Sequence, residues 1–152
     1  MKKLMLLSGT FLLLLMLSCR SEDDDNVVQM NLKGSWRPDK IMTTTTQNGG
    51  STTSTVITDN CQQKSRIVFS TDTSGNITYY DTINGTCGIL ITTDFTYSLN
   101  PQNNAFSITT NGNKMEGGVT TLSDTQLNFY YIDKGNPTVT NRVEISATRV
   151  SN

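Results

Sequence analysis

The chain has 152 residues, a formal net charge of −1 and no histidine. That length holds one domain, the near-neutral balance offers no basic stripe to nucleic acid, and without histidine Ser–His and Cys–His catalytic pairs cannot exist and the commonest metal ligand is missing. Against 3 Pro stand 25 Thr, 15 Asn, 14 Ser and 11 Gly. Thr suits pleated, half-buried surfaces and Asn and Gly suit turns, so composition already points to an all-β body.

Residues 1–18 read as a signal peptide. Lys2 and Lys3 form a positive start, and Leu4 to Leu17 is a Leu/Met-rich stretch. It is too short to cross a bilayer, which needs about 20 apolar residues, and has the dimensions of a secretory core. The segment ends Leu17-Ser18-Cys19, which resembles a bacterial lipobox. That resemblance implies cleavage before Cys19 and attachment of acyl chains such as palmitate to it. Two or three such chains anchor lastingly, since each buried CH₂ contributes about 0.8 kcal/mol. Residues 19–31 then form a lipid-anchored acidic tether. Its Glu22-Asp23-Asp24-Asp25 run stays hydrated and resembles the export signal of Bacteroidetes surface lipoproteins. The implied location is the outer membrane, facing the cell exterior; a plain solvated spacer is the alternative. From Arg20 to Asn31 the tether reaches roughly 40 Å when extended.

From residue 32 to 152 the pattern alternates with a period of two. Ile89, Ile91, Phe95, Tyr97 and Leu99 share one parity, and Thr92, Asp94, Thr96 and Ser98 the other. Turn signals recur: Asn48-Gly49-Gly50, Ser74-Gly75-Asn76, Asn84-Gly85, Asn100-Pro101, Asn111-Gly112-Asn113, Ser123-Asp124 and Gly135-Asn136-Pro137. In chain order the predicted strands are 33–45, 51–58, 65–71, 76–83, 88–99, 104–110, 114–121, 126–133 and 139–150. Strands joined by hairpins argue for an up-and-down antiparallel β-barrel of about eight strands, because closure removes both edges and buries the apolar face. The 33 large apolar and aromatic residues from Leu32 onward suffice for such a core without excess.

With Cys19 assigned to lipid, Cys61 and Cys87 remain as a pair in an oxidising compartment. A disulfide closing that loop stabilises by roughly 3.5 kcal/mol. Two reactive thiols are the rival reading, but there is no CxxC spacing and no histidine to activate them.

Leu32-Lys33-Gly34-Ser35-Trp36 resembles the Gly-x-Trp signature that opens the lipocalin barrel. Cys61-Gln62-Gln63-Lys64-Ser65-Arg66-Ile67-Val68-Phe69, the later Cys87 and the closing Ala147-Thr148-Arg149-Val150 resemble lipocalin-like domain lipoproteins of the Bacteroidetes type. The likeness runs from about Leu32 to Val150, with no second signature motif. It implies that Trp36 plugs the closed end, that Arg149 lies across it by a cation–π contact and that Gly34 lets the backbone pass close by. In the other reading Trp36 is ordinary core and Arg149 is solvated.

No catalytic or metal set is legible: the acidic residues are scattered singly and no phosphate loop precedes a helix. Neither an enzyme nor a cofactor is expected. Phe69, Tyr79, Phe95, Tyr97, Phe106, Phe129 and Tyr131 share the inferred inward parity. Either they line a pocket for a small apolar or amphipathic ligand, or they fill a small barrel. In the second case, loops and the exposed Tyr80 and Tyr130 serve a protein or glycan partner, or the Thr43–Thr58 hairpin acts as an inhibitor loop. That polar hairpin stands at the expected barrel mouth.

Overall fold

The structure, a computed structural model, describes residues 31–136 and 138–151; the signal segment, Cys19 and nearly all of the tether lie outside the described residues. Nine strands follow in order: β1 (Gly34–Gln47), β2 (Gly50–Ile57), β3 (Arg66–Phe69), β4 (Ser74–Ile83), β5 (Thr86–Asn100), β6 (Ala105–Thr110), β7 (Asn113–Leu122), β8 (Gln126–Asn136) and β9 (Val139–Val150). Their positions follow the alternating runs of the sequence within a few residues.

All neighbours are antiparallel, in the sheet order β2-β1-β3-β4-β5-β6-β7-β8-β9, and β1 also pairs with β9 from Ser35 to Gln47. That last ladder closes β1 and β3–β9 into an eight-stranded barrel. β2 is a ninth, extra strand. It pairs with the second half of β1, Lys40 to Gln47, while β3 takes Gly34 to Trp36 on the same side. β2 and β3 thus share one lane of the wall, interrupted by the loop that carries a short 3₁₀ turn at Gln62–Lys64. Among the described residues β2 has no strand on its other edge.

The tight turns have a backbone reason. Asn48-Gly49, Asn84-Gly85 and Asn111-Gly112 pair an Asn at φ near 50° with a Gly at 79°. That is the type I′ geometry whose twist matches the flanking strands. All three turns cap the same end of the barrel.

The core is concentrated at the opposite end. Leu32, Trp36, Ile67, Phe69, Phe95, Tyr97, Phe106, Ile108, Val119, Leu127, Phe129, Ile145 and Ala147 are buried together. Phe69 meets Phe95, Tyr97 and Phe106 edge-to-face at 5.3, 4.9 and 6.5 Å between ring centres, and Phe106 meets Phe129 at 5.4 Å. These are the favoured arrangements for aromatic quadrupoles. At Gly75 an added Cβ would lie 2.2 Å from the Val68 carbonyl oxygen and 2.3 Å from the Phe95 ring, so only glycine lets Phe95 fill that space.

Cys61 and Cys87 are joined, with their Cα atoms 5.5 Å apart. The bond ties the loop between β2 and β3 to the start of β5, across the part of the wall that hydrogen bonds leave unjoined. Ser65, fully buried, adds a second tie by accepting from the Tyr80 N–H at 2.9 Å. From the loop length alone, the Cys61→Ala/Cys87→Ala double variant is expected to lose about 3.5 kcal/mol. Urea unfolding of oxidised wild type and variant measures that difference.

Candidate functional site

The two ends of the barrel differ in filling. At the closed end Trp36, fully buried, donates its indole N–H to the Leu32 carbonyl at 2.8 Å. The Arg149 guanidinium lies 4.2 Å from the Trp36 ring centre and donates to the backbone carbonyls of Lys33, Asn31 and Asp124 at 2.6, 3.0 and 2.8 Å. One cation therefore stacks on the plug and ties together the entry of β1, the β7–β8 loop and the last strand. Gly34, at φ 129°, has no room for a side chain, since a Cβ would sit 2.4 Å from the Arg149 Nη1. The structure thus brings Gly34, Trp36 and Arg149 into one assembly.

Of the seven inward aromatics read from the sequence, five are core. Phe69, Phe95, Tyr97, Phe106 and Phe129 are buried against one another, so they fill the closed half and do not line a cavity. The phenol of Tyr97 donates to the Thr71 carbonyl at 2.7 Å; burial, with Asp72 nearby, pushes its pKa above the ordinary tyrosine value. Tyr79 and Tyr131 stand nearer the other end. Burial raises the pKa of Tyr131, with Asp133 adding to it. Tyr79 is raised by burial and then by Asp81 and Asp59.

Around these two tyrosines the inner wall of the open half is built from Ile41 on β1, Ile77 on β4, Met115 on β7 and Val143 on β9, all only partly buried. Ile91, opposite Tyr79, is 51% exposed, and Val56, opposite Ile41, is 39% exposed. Further toward the rim the inner face turns polar. Thr45 donates to the Asn141 Oδ1 at 2.8 Å, and lower on the wall, between Ile91 and Phe95, the Thr93 hydroxyl lies 3.2 Å from that of Thr110 at the end of β6. The open half is therefore a cup with aliphatic walls, two phenols and a hydroxyl- and amide-bearing rim.

Ile41 owes its inward place, and Ile89 its outward one, to β-bulges that alternation alone does not reveal. Between Pro38 and Lys40 the register slips by one residue. Trp36 faces inward, and beyond the slip the odd positions Ile41 and Thr43 do. Asp39, the extra residue, accepts from the Arg37 guanidinium at 3.0 Å and from the Thr148 hydroxyl, which holds the bulge. On β5 the extra residue is Leu90, which moves Ile89 opposite Tyr80 and so to the outer face. Leu90, Ile83, Ile57 and Ile89 are also exposed. The Thr43–Thr58 hairpin is a paired ribbon of β1 and β2 ending in a two-residue turn. On the outer wall a polar groove of about 550 Å³ runs over Ser74, Asn76, Asp94, Thr96 and Thr109. Tyr130 lies on that wall beneath the Arg142 guanidinium, 3.6 Å from its ring centre. Among the described residues no group of three or more Cys, Asp or Glu is placed to hold a metal ion.

The lipocalin-like domain family model matches residues 32–129, from just before the plug through most of the barrel wall. The chain belongs to the lipocalin-like domain family. Among solved structures it is similar to a bovine odorant binding protein, the deswapped triple mutant, at 12% identity and TM-score 0.45, covering 78% of this chain and 74% of that one. Aphrodisin, a sex pheromone from female hamster, is similar at 12% identity and TM-score 0.46, covering 80% and 76%. A Bacteroides ovatus protein of unknown function is similar at 9% identity and TM-score 0.41, covering 78% of this chain and 41% of that one. No curated protein matches the sequence.

The plug yields a graded expectation. Arg149→Ala removes a stacked cation and three charge-assisted hydrogen bonds, and should cost about 2–3 kcal/mol. Arg149→Lys should cost less, because it keeps the charge but cannot reach all three carbonyls. Equal stabilities of wild type and Arg149→Ala in urea unfolding would contradict the assembly.

Proposed function

We propose that this protein is a non-catalytic binding barrel that holds a small apolar or amphipathic molecule in its open half. The observation that carries the reading is the contrast in filling. The closed half is packed to completion by aromatic rings, while the apolar inner side chains of the other half keep solvent-accessible surface that a ligand can cover. Family membership supports it, since small hydrophobic ligands suit the lipocalin-like barrel.

Lipid attachment at Cys19 and display on the outer face of an outer membrane belong to the same proposal. Leu32 is buried in the closed end and Arg149 holds the Asn31 and Lys33 carbonyls there. A tether running back from Asn31 therefore joins the barrel at the plugged end. An anchored molecule would turn its mouth away from the membrane and sample the medium.

A second reading is favoured by one observation. Ile57, Ile83, Ile89 and Leu90 expose apolar surface beside the unpaired part of the wall, which suits an interaction module with a protein or glycan partner.

Filling the cup separates the two. Wild type should enhance the fluorescence of N-phenyl-1-naphthylamine, and Val143→Trp, which places an indole among Ile41, Met115 and Tyr131, should lose at least tenfold in affinity without loss of fold. Ile89→Ser, on the outer face, should leave probe binding unchanged. Loss of binding in Ile89→Ser with retention in Val143→Trp would favour the interaction surface. For the anchor, growth with an alkyne-tagged palmitate should label the wild type, and Cys19→Ser should abolish both label and membrane fractionation.

A further inference from the structure

β2 ends the sheet on an edge that no other strand covers among the described residues. All eight of its residues, Gly50–Ile57, are exposed. The hairpin register shows which backbone groups are free. Gln47 and Gly50 flank the two-residue turn and bond to each other, so the bonded pairs continue as Thr45 with Thr52, Thr43 with Ser54 and Ile41 with Val56. The Thr58 N–H, which donates to the Asp39 carbonyl at 3.0 Å, keeps the same alternation. Ser51, Thr53, Thr55 and Ile57 therefore turn their N–H and C=O groups away from β1.

Folded proteins blunt free edges with charges, proline, bulges or a covering loop. Beside β2 the protein does so. β4 continues past its last β3 partner at Thr78, and there the Tyr80 N–H is taken by the Ser65 hydroxyl at 2.9 Å and the Thr82 N–H by the Asp81 carboxylate at 2.8 Å. β2 has none of these devices. It holds no proline, its ladder with β1 runs without a register shift, and no charged residue occurs from Ile41 to Ile57. Thr52, Thr53, Thr55, Val56 and Ile57 are β-branched and suit a paired strand.

We propose that β2 is a dimerisation edge, pairing antiparallel with β2 of a second copy about a dyad at Ser54. In that register Thr53 faces the partner's Thr55 and Ser51 faces the partner's Ile57, so the outward groups of one copy meet those of the other and each pair exchanges two hydrogen bonds. A second copy fits the edge better than an unrelated strand does. Symmetry supplies the register, threonine lies opposite threonine, and no charge is brought to an edge that has none to answer it. The pairing consumes both free edges, so growth stops at two chains. The ladder is short, which makes the dimer a weak one. Its dyad is normal to the sheet, so the two cups open in opposite directions. The pairing does not depend on what the cups hold.

Cross-linking tests the register itself. Ser54 meets its own copy across the dyad as a non-bonded pair, with Cα atoms about 4.5 Å apart and within disulfide reach. Thr52, on the same face, lies roughly 14 Å from the partner's Thr52. In the full chain carrying Cys19→Ser, held in a mild non-ionic detergent and oxidised with copper phenanthroline, Ser54→Cys should form a disulfide-linked dimer about tenfold faster than Thr52→Cys. Thr53→Pro removes one outward N–H and spares the ladder with β1; adding it should slow the Ser54→Cys cross-link to the Thr52→Cys rate, with the far-ultraviolet circular dichroism unchanged. Thr55→Lys, which sets like charges across the dyad, should act in the same direction. Equal rates for Ser54→Cys and Thr52→Cys would overturn the dimer, and so would a cross-link that both Thr53→Pro and Thr55→Lys leave untouched.

Discussion

The β1–β9 ladder is the constraint on which the rest depends. Without it, this is a long sheet with two open edges and one apolar face in water. With it, the face is turned on itself and most of the edge disappears. The ladder places Trp36 directly opposite Arg149, so the contact that plugs the barrel is a consequence of the register that closes it. The bulge at Asp39 lies within the same ladder and divides β1 into two jobs. Before it, the strand lays Trp36 into the core; after it, the strand lines the cup with Ile41 and Thr43.

The division between a solid end and an open end follows from side-chain size. Phe69, Phe95, Tyr97, Phe106 and Phe129 crowd into the closed half, where Gly75 yields space to Phe95. Toward the other end the inward positions, Tyr79 and Tyr131 apart, become Ile, Val, Met and Thr, which fill less of a barrel of the same strand number. There the wall is also less complete. The second half of β1 is flanked by β2, whose far edge is unpaired, and the disulfide and the buried Ser65 tie the intervening loop to β4 and β5. Stability is thus supplied at one end by packing and at the other by covalent and hydrogen-bonded ties.

Much of this was legible in the residues. Alternation gave the strands, and Asn-Gly pairs marked three of the turns because few other dipeptides tolerate two positive φ angles. The Gly34, Trp36 and Arg149 assembly was read through resemblance, since residues so far apart in sequence carry no local sign of contact. The cup was less legible. A period-two reading assigns faces correctly only until a bulge intervenes, which is why it overlooked Ile41 and assigned Ile89 to the inner wall. It also cannot tell an aromatic that fills a barrel from one that lines it. Phe69 and Tyr131 share an inward parity, and only their height along the barrel separates core from cup.

The most direct measurement is a map of where an apolar guest settles. With methyl-labelled Ile, Val, Leu and Met, titration of N-phenyl-1-naphthylamine into the protein should shift the NMR signals of Ile41, Ile77, Met115 and Val143 and leave Leu32 and Leu127 in place. Shifts confined to Ile57, Ile83 and Ile89, or centred on Leu127 at the plugged end, would contradict the account.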